Sequence, residues 1–228
     1  MNISQEKQVN NMRKLMMILM SLMLVACSTQ TSAPEKEPEK KDEEKTKVSF
    51  IGVGDNLIHE MIYIQADKAA GSENDGTYDF TPMYEHVKKD VENADIAYID
   101  QESIIGGDDL GISGYPTFNS PDQVARDVAA TGFDLINTAN NHCLDMYQAG
   151  IDHSSKIWSE QKGIVTAGTY TSNEDRNKIR VIERKGIKFS FLAYTYGTNG
   201  IEPPHEYSVA YFDEEQIKKD VAAAKKVS

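Results

Sequence analysis

Two asparagines, a histidine and an aspartate occur together in the segment Asn-Asn-His-Cys-Leu-Asp at residues 140–145. An apolar run leads into this segment, and a helical pattern begins behind it. In α/β proteins, metals, phosphates and nucleophiles are held where a strand passes into a polar loop. We therefore expect Asn141 and His142 to form the centre of a functional site.

Two earlier apolar runs end in carboxylates in the same way. Residues 48–54 lead to Asp55, and the run that begins at Ala94 carries Asp100 and Glu102 at its polar end. Since the carboxyl ends of parallel strands lie along one edge of a sheet, such residues can meet there. We expect Asp55 and Glu102 to be the partners of Asn141 and His142. Carboxylate, amide and imidazole ligands suit Mn²⁺, Mg²⁺ or Zn²⁺, and the lack of thiolate ligands argues against a structural zinc.

These residues also have structural interpretations. Asn141 could cap a helix beside a core histidine, Asp55 could cap a turn, and Glu102 could be a surface acid. We favour the functional site because polar residues between an apolar strand and an apolar helix are costly to bury unless they have a functional role. His59 is more readily explained as a structural residue than as a ligand.

Strand and helix patterns alternate through residues 48–170, which predicts a largely parallel sheet covered on both faces. Strands are predicted at residues 48–55, 94–102, 133–138 and 164–167, and the first of them is expected to be buried. A hairpin is predicted over residues 181–194, with its turn at Lys185-Gly186. No closing strand follows the last helix pattern, so we expect the domain to be incomplete at its C-terminus.

Capping residues and apolar spacing predict the helices. One helix is expected to be capped by Thr81, with Pro82 at its first position, and another is expected to run from Ser120-Pro121 to Gly132. Asp213 is expected to open the last helix. The predicted buried positions are Met83, Val87, Val91, Val124, Val128, Leu144, Tyr147, Ile151 and Trp158.

Residues 1–27 predict a signal peptide. Arg13 and Lys14 precede a short apolar core, which falls below the roughly 20 residues that span a bilayer. The core ends in Leu-Val-Ala-Cys, which looks like a bacterial lipobox with Cys27 as the lipidated residue. The alternative is an ordinary secretory signal, but the polar sequence after Cys27 favours lipidation. A lipid on Cys27 would anchor the protein to the extracellular face of the cell membrane.

Composition separates a linker from the folded domain and argues against several classes of protein. Residues 28–47 alternate charges of both signs and contain no aromatic residue, which predicts a solvated linker before a domain at 48–228. The net charge of −12 argues against nucleic-acid binding. Cys27 and Cys143 do not form a Cys-x-x-Cys pair, which excludes zinc-ribbon and disulfide-rich proteins.

Three segments together resemble the bacterial capsule-synthesis CapA family. These are the poly-γ-glutamate capsule proteins within the calcineurin-like metallophosphatase superfamily. The segments are Phe50-Ile-Gly-Val-Gly-Asp55, the strand end at Gln101-Glu102, and Thr138-Ala-Asn-Asn-His-Cys-Leu-Asp145. The resemblance covers about residues 48–228 and implies a metallophosphatase-like layered α/β sandwich.

The resemblance also implies roles for individual residues. Asp55 and Glu102 would be metal ligands, and Asn141 would be a ligand through its amide oxygen. His142 would be catalytic, because it would orient or protonate a phosphate-like leaving group, and Asp145 would brace the loop. A two-metal site of this kind would activate water.

The sequence departs from the family pattern in two places. The first strand ends in Gly-Asp without the Asp-x-His of typical metallophosphatases, and His59 is the candidate substitute. The later histidine motifs are absent from these 228 residues, and His205 does not match them.

Two functions therefore stay open. One is a lipid-anchored protein that assists the envelope machinery in biosynthesis, export or anchoring of an anionic polymer. The other is a metal-dependent phosphoesterase.

Overall fold

A parallel four-stranded sheet is the centre of the fold. The computed structural model describes residues 45–228, and residues Thr46–Ser228 form one compact unit. The strands are β1 (Phe50–Asp55), β2 (Ile96–Asp100), β3 (Leu135–Asn137) and β4 (Val165–Ala167), in the spatial order β1-β2-β3-β4. The predicted α/β fold class is thereby confirmed.

Helices provide the crossovers that parallel strands require. They are α1 (Glu60–Ala69) and α2 (Thr81–Asn93) between β1 and β2, α3 (Gln123–Thr131) before β3, and α4 (Tyr147–Ser159) before β4. The chain continues through a short helix α5 (Asn173–Asn177), an antiparallel hairpin of β5 (Arg180–Arg184) and β6 (Ile187–Phe191), and helix α6 (Glu214–Ala224).

The two faces of the sheet pack against different elements. Ala97, Ile99 and Ile136 lie on the face that packs against the helices. Ile96 and Leu135 lie on the opposite face and pack against the hairpin through Ile182, Phe189 and Phe191. Neighbouring residues serve opposite faces because side chains alternate along a strand.

The parallel register aligns the carboxyl ends of three strands. Asp55 of β1 lies opposite Asp100 of β2, after a register shift that begins at Gly52. Asp100 in turn lies opposite Asn137 of β3. The polar residues that follow these strands therefore start from adjacent positions on one edge of the sheet.

The prediction that the first strand is buried was wrong. β1 is the outer strand of the sheet and pairs with β2. Ile51 and Val53 pack on the helical core, whereas Phe50 is 61% exposed on the other face. An apolar run alone does not distinguish an edge strand from a central one.

The predicted buried face of α2 was only partly right. Val91 and Tyr84 are buried, but Met83 and Val87 are exposed. Thr81 is the first residue of α2 and not its cap. The helix is rotated so that Tyr84 points inward, which turns Met83 and Val87 toward solvent.

The predicted end of α3 was right, but the helix was predicted to begin at Ser120-Pro121 and begins later. Gly132 follows the helix with a φ of 109°, a left-handed conformation that glycine adopts without strain. Val124 and Val128 are fully buried, as predicted. The helix begins at Gln123. Ser120 does not cap it, because its buried hydroxyl donates a hydrogen bond to the hydroxyl of Ser103.

Of the predictions for Tyr147, the hairpin turn and Asp213, the first was wrong and the other two are confirmed. Tyr147 is exposed and has a φ of 52°, so the prediction that it is buried was wrong. The hairpin turn is confirmed at Lys185 and Gly186, whose φ values of 53° and 78° suit a type I′ turn. Asp213 caps α6, as predicted, by accepting a hydrogen bond from the backbone N–H of Gln216.

The predicted signal peptide with Cys27, and the linker up to residue 44, lie outside the residues that the structure describes. Within residues 45–228, every helix is too short or too polar to cross a bilayer.

Candidate functional site

Buried amide groups hold together the three loops that leave β1, β2 and β3. The backbone N–H of Asn56 donates to the carbonyl of Asp100 at 2.7 Å, and its side-chain amide donates to Gln101 Oε1 at 2.7 Å. The backbone N–H of Gln101 donates to the carbonyl of Asn137 at 2.9 Å. Since Asn56 and Gln101 are each 3% exposed, these hydrogen bonds are protected from water.

Asn140 connects the third loop to the second. Its Nδ2 donates to the carbonyl of Gln101 at 2.9 Å and to Asp100 Oδ1 at 3.3 Å. Its Oδ1 accepts a hydrogen bond from the backbone N–H of His142 at 3.0 Å. Asn140 therefore fixes the backbone that carries His142.

His142 and Asp145 form a buried pair. Nδ1 of His142 lies 2.7 Å from Asp145 Oδ2, and the same oxygen accepts a hydrogen bond from the backbone N–H of Phe118 at 2.6 Å. Burial raises the pKa of Asp145, while the hydrogen bonds from Phe118 and His142 oppose that rise. With its proton on Nδ1, neutral His142 keeps Nε2 as a hydrogen-bond acceptor.

Aromatic packing restrains the imidazole further. The ring of Phe118 meets that of His142 edge-on, with centroids 4.7 Å apart and an interplanar angle of 87°. The Phe118 ring also lies near that of His59, with 5.7 Å between centroids. His59 itself caps α1, because its Nδ1 accepts the backbone N–H of Glu60 at 2.8 Å. His59 therefore lies at the periphery of the site and has a structural role.

Three carboxylates near this pair are close enough to influence one another's ionisation. Burial raises the pKa of Asp100 to about 7, and the charges of Asp55 and Glu102 add to the rise. Burial also raises the pKa of Glu102, again with a contribution from Asp55, while the nearby His142 lowers it. We call Asp55, Asp100 and Glu102 the carboxylate cluster. Its members repel one another when all are ionised.

The carboxylate oxygens of the cluster suit a hard divalent cation, because such cations prefer oxygen ligands. Among residues 45–228, however, no group of three or more His, Cys, Asp or Glu side chains has an arrangement that could hold a metal ion. Asp55, Asp100 and Glu102 would therefore need amide oxygens, water or a bound ligand to complete the coordination.

Asn141 lies toward the outside of the site. Its Nδ2 donates to Oδ1 of Asn199 at 3.3 Å. The Nδ2 of Asn199 lies 3.3 Å from Nδ1 and 3.5 Å from Nε2 of His142. The structure thus places Glu102 within electrostatic range of Asp55, His142 and Asp145. It places Asn141 beside Asn199, at the outer border of the site.

Several residues of this site were not predicted as site residues, among them Asp100, Phe118, Asn140 and Asn199. Asp100 ends the same apolar run that led to Glu102, and its register with Asp55 could not be read from the sequence. Asn140 and Asn141 are adjacent asparagines, so the sequence does not show which of the two connects the loops. Asn199 precedes a glycine, which is a turn signal but carries no information about the loop that the turn touches.

Comparison with known proteins identified one family. Residues 49–228 match the family described as bacterial capsule synthesis protein PGA_cap. The match includes all the site residues described above. The search of curated proteins found no match to this chain.

Proposed function

Because the chain belongs to the bacterial capsule synthesis protein family PGA_cap, we propose that it acts on the extracellular face of the cell membrane in biosynthesis, export or anchoring of a poly-γ-glutamate-type polymer. Family membership supports the role in capsule synthesis. The lipobox-like sequence ending at Cys27 supports a lipid anchor. The anionic polymer and the envelope machinery are the proposed partners.

The observation that carries this proposal is the His142–Asp145 pair beside the carboxylate cluster. A polymer carboxylate would be repelled by Asp55, Asp100 and Glu102 alone. Together with amide oxygens, water or the ligand itself, these residues would hold a divalent cation such as Mn²⁺, Mg²⁺ or Zn²⁺. The cation would supply the positive charge that an anionic ligand needs. His142 would bind the same ligand directly.

His142 can exchange hydrogen bonds with a ligand through Nε2 when the ligand displaces the 3.5 Å contact from Asn199 Nδ2 to that nitrogen. In the neutral ring Nε2 accepts a hydrogen bond, and after protonation it donates one to a carboxylate oxygen. Asp145 Oδ2 lies 2.7 Å from Nδ1, and an Nδ1–H can donate to it in the neutral tautomer and in the charged ring alike, so Asp145 would keep the ring oriented in both states. The chain therefore contributes an oriented imidazole, and Asn141 adds an amide at the outer border.

Replacing His142 with alanine is expected to lower the amount of polymer on the cell surface by about tenfold. Loss of one hydrogen bond to a charged ligand costs about 1.5–3 kcal/mol, and the lower end of that range corresponds to about that factor. The experiment introduces the full-length wild type or H142A into cells that lack the gene. Surface polymer is then quantified and hydrolysed to measure its glutamate content.

The matched control is His86→Ala, because His86 is an exposed histidine on α2 away from the strand ends. H86A should restore wild-type polymer at the same protein level. Equal amounts of polymer with H142A and H86A would contradict the role of the site. A polymer without glutamate would contradict the poly-γ-glutamate part of the proposal.

Replacing Cys27 with serine is expected to release the protein from the membrane fraction. Serine has no thiol to accept a lipid, and one or two acyl chains provide the anchoring energy. Immunoblots of membrane fraction and culture medium, with a labelled fatty acid as tracer, would measure this. Cleavage of the wild-type chain to a soluble, unlabelled product would contradict lipidation.

A second candidate function is metal-dependent phosphoester hydrolysis. The observation that favours it is the short Asp145–His142 contact, because a carboxylate that orients an imidazole suits general acid catalysis. Purified full-length protein with added Mn²⁺ should then cleave bis-p-nitrophenyl phosphate, and H142A should not. Equal turnover by the two proteins, or none by the wild type, would remove this candidate.

A further inference from the structure

A tight turn at residues 198–201 contributes the fourth segment of the site. The backbone N–H of Ile201 donates to the carbonyl of Thr198 at 2.9 Å, which closes the turn. The two central residues, Asn199 and Gly200, have φ values of 52° and 83°. Positive φ at both positions is the requirement of a type I′ turn, and Asn-Gly is its preferred sequence.

Hydrogen bonds within the turn and to a neighbouring segment hold this turn in place. The hydroxyl of Thr198 donates to the carbonyl of Ile201 at 2.6 Å and lies 2.8 Å from the hydroxyl of Tyr211. Just before the turn, the backbone N–H of Thr195 donates to the carbonyl of Ala210 at 2.9 Å. Thr195 and Thr198 are each 4% exposed, so the base of the turn is anchored in the interior. Asn199 is thereby presented at a fixed place.

The side chain of Asn199 makes two different contacts with the loop after β3. Its Oδ1 accepts a hydrogen bond from Asn141 Nδ2, and its Nδ2 lies against both ring nitrogens of His142. In the first contact the Asn141 amide faces Asn199 with its Nδ2. Within residues 45–228, Asn141 Oδ1 accepts no hydrogen bond from the protein, so it is available to a ligand.

We propose that Asn199 is a positioning residue of this site, which orients the Asn141 amide so that Oδ1 is presented to a cation or a hydrogen-bond donor. Residues that orient a ligand-binding side chain typically change affinity by about 10–100-fold when they are removed. The inference rests on the proposed function only in taking Asn141 as a ligand-binding residue. The orienting contact itself exists without any ligand.

The test replaces Asn199 with glycine and, separately, with aspartate in the full-length chain. Glycine adopts positive φ without strain, so N199G removes the amide and leaves the turn intact. Aspartate keeps an oxygen that accepts from Asn141. The matched control is Asn74→Gly, since Asn74 is an exposed asparagine with a φ of 61° in the loop between α1 and α2.

The decisive readout is the mobility of the Asn141 side-chain amide, measured by ¹⁵N relaxation in the metal-free protein. We expect N199G to lower its order parameter clearly, and N199D and N74G to leave it unchanged. A residue that only stabilised the fold would change the melting temperature and not this order parameter. An unchanged order parameter in N199G would overturn the inference.

Calorimetric titration with Mn²⁺ alone gives an independent readout. N199G is expected to bind Mn²⁺ about tenfold more weakly than the wild type and N74G. Equal affinities in N199G and N74G would overturn the inference that Asn199 prepares Asn141 for a ligand. If the wild type binds no Mn²⁺, the proposed cation fails, while the relaxation measurement still decides whether Asn199 positions Asn141.

Discussion

Replacing Gly168 with alanine is expected to destabilise the protein by about 3–5 kcal/mol. Gly168 follows β4 with a φ of 126°, a conformation that residues with a side chain rarely adopt. A Cβ atom at this position would lie 2.4 Å from the backbone nitrogen and 2.5 Å from the Cβ of Ala139. The energetic cost of backbone strain and that of steric overlap therefore add in the variant.

The overlap would affect the functional site as well as stability. Ala139 precedes Asn140 in the loop that carries His142, and its N–H donates to Asn137 Oδ1 at 2.9 Å. Gly168 is held from its own side, because its carbonyl accepts the N–H of Ala210 at 2.8 Å. Neither segment can move away without breaking these hydrogen bonds, so G168A should also displace His142.

Urea unfolding of G168A and of Gly163→Ala would measure the effect. Gly163 also has a positive φ, 83°, but an added Cβ would meet nothing within 4 Å. G163A should therefore show the backbone strain alone, about 1–2 kcal/mol. Equal losses in the two variants would contradict the close approach of Gly168 and Ala139.

Replacing Asp100 with asparagine is expected to stabilise the protein by about 1–3 kcal/mol at pH 8 and by little at pH 4. Burial, together with the charges of Asp55 and Glu102, raises the pKa of Asp100 from 3.8 to about 7. The folded state thus retains a proton that the unfolded chain loses. Stability of the wild type should fall as the pH rises through this window, and an uncharged amide avoids that loss.

Thermal and urea unfolding between pH 4 and pH 8 would test this, with Asp90→Asn on the exposed surface of α2 as control. D90N should follow the wild type at every pH. A D100N variant that is less stable than the wild type at pH 8 would contradict the pKa assigned to Asp100. Added Mg²⁺ should stabilise the wild type more than D100N, because a bound cation neutralises the cluster.

Local patterns in the sequence predicted most of the sheet and several element ends. Gly132, the Lys185-Gly186 turn and Asp213 were placed correctly, because each acts through hydrogen bonds or φ values within a few residues. The short helix α5, with Ser172 as its cap, was not predicted. Apolar spacing was less informative for Met83 and Tyr147, because it does not determine how a helix is rotated against the sheet.

The sequence by itself determined the fold class and pointed to the strand ends at Asp55, Glu102 and His142. Alternating strand and helix patterns leave few ways to bury the apolar faces, and parallel strands must place their carboxyl ends on one edge. Only the tertiary structure decided that Asn140 ties the loop to the sheet, that Asp100 joins the carboxylate cluster, and that a turn near residue 199 reaches His142. Register, burial and contacts across 40 to 58 residues of chain depend on the packed fold, and no local pattern contains them.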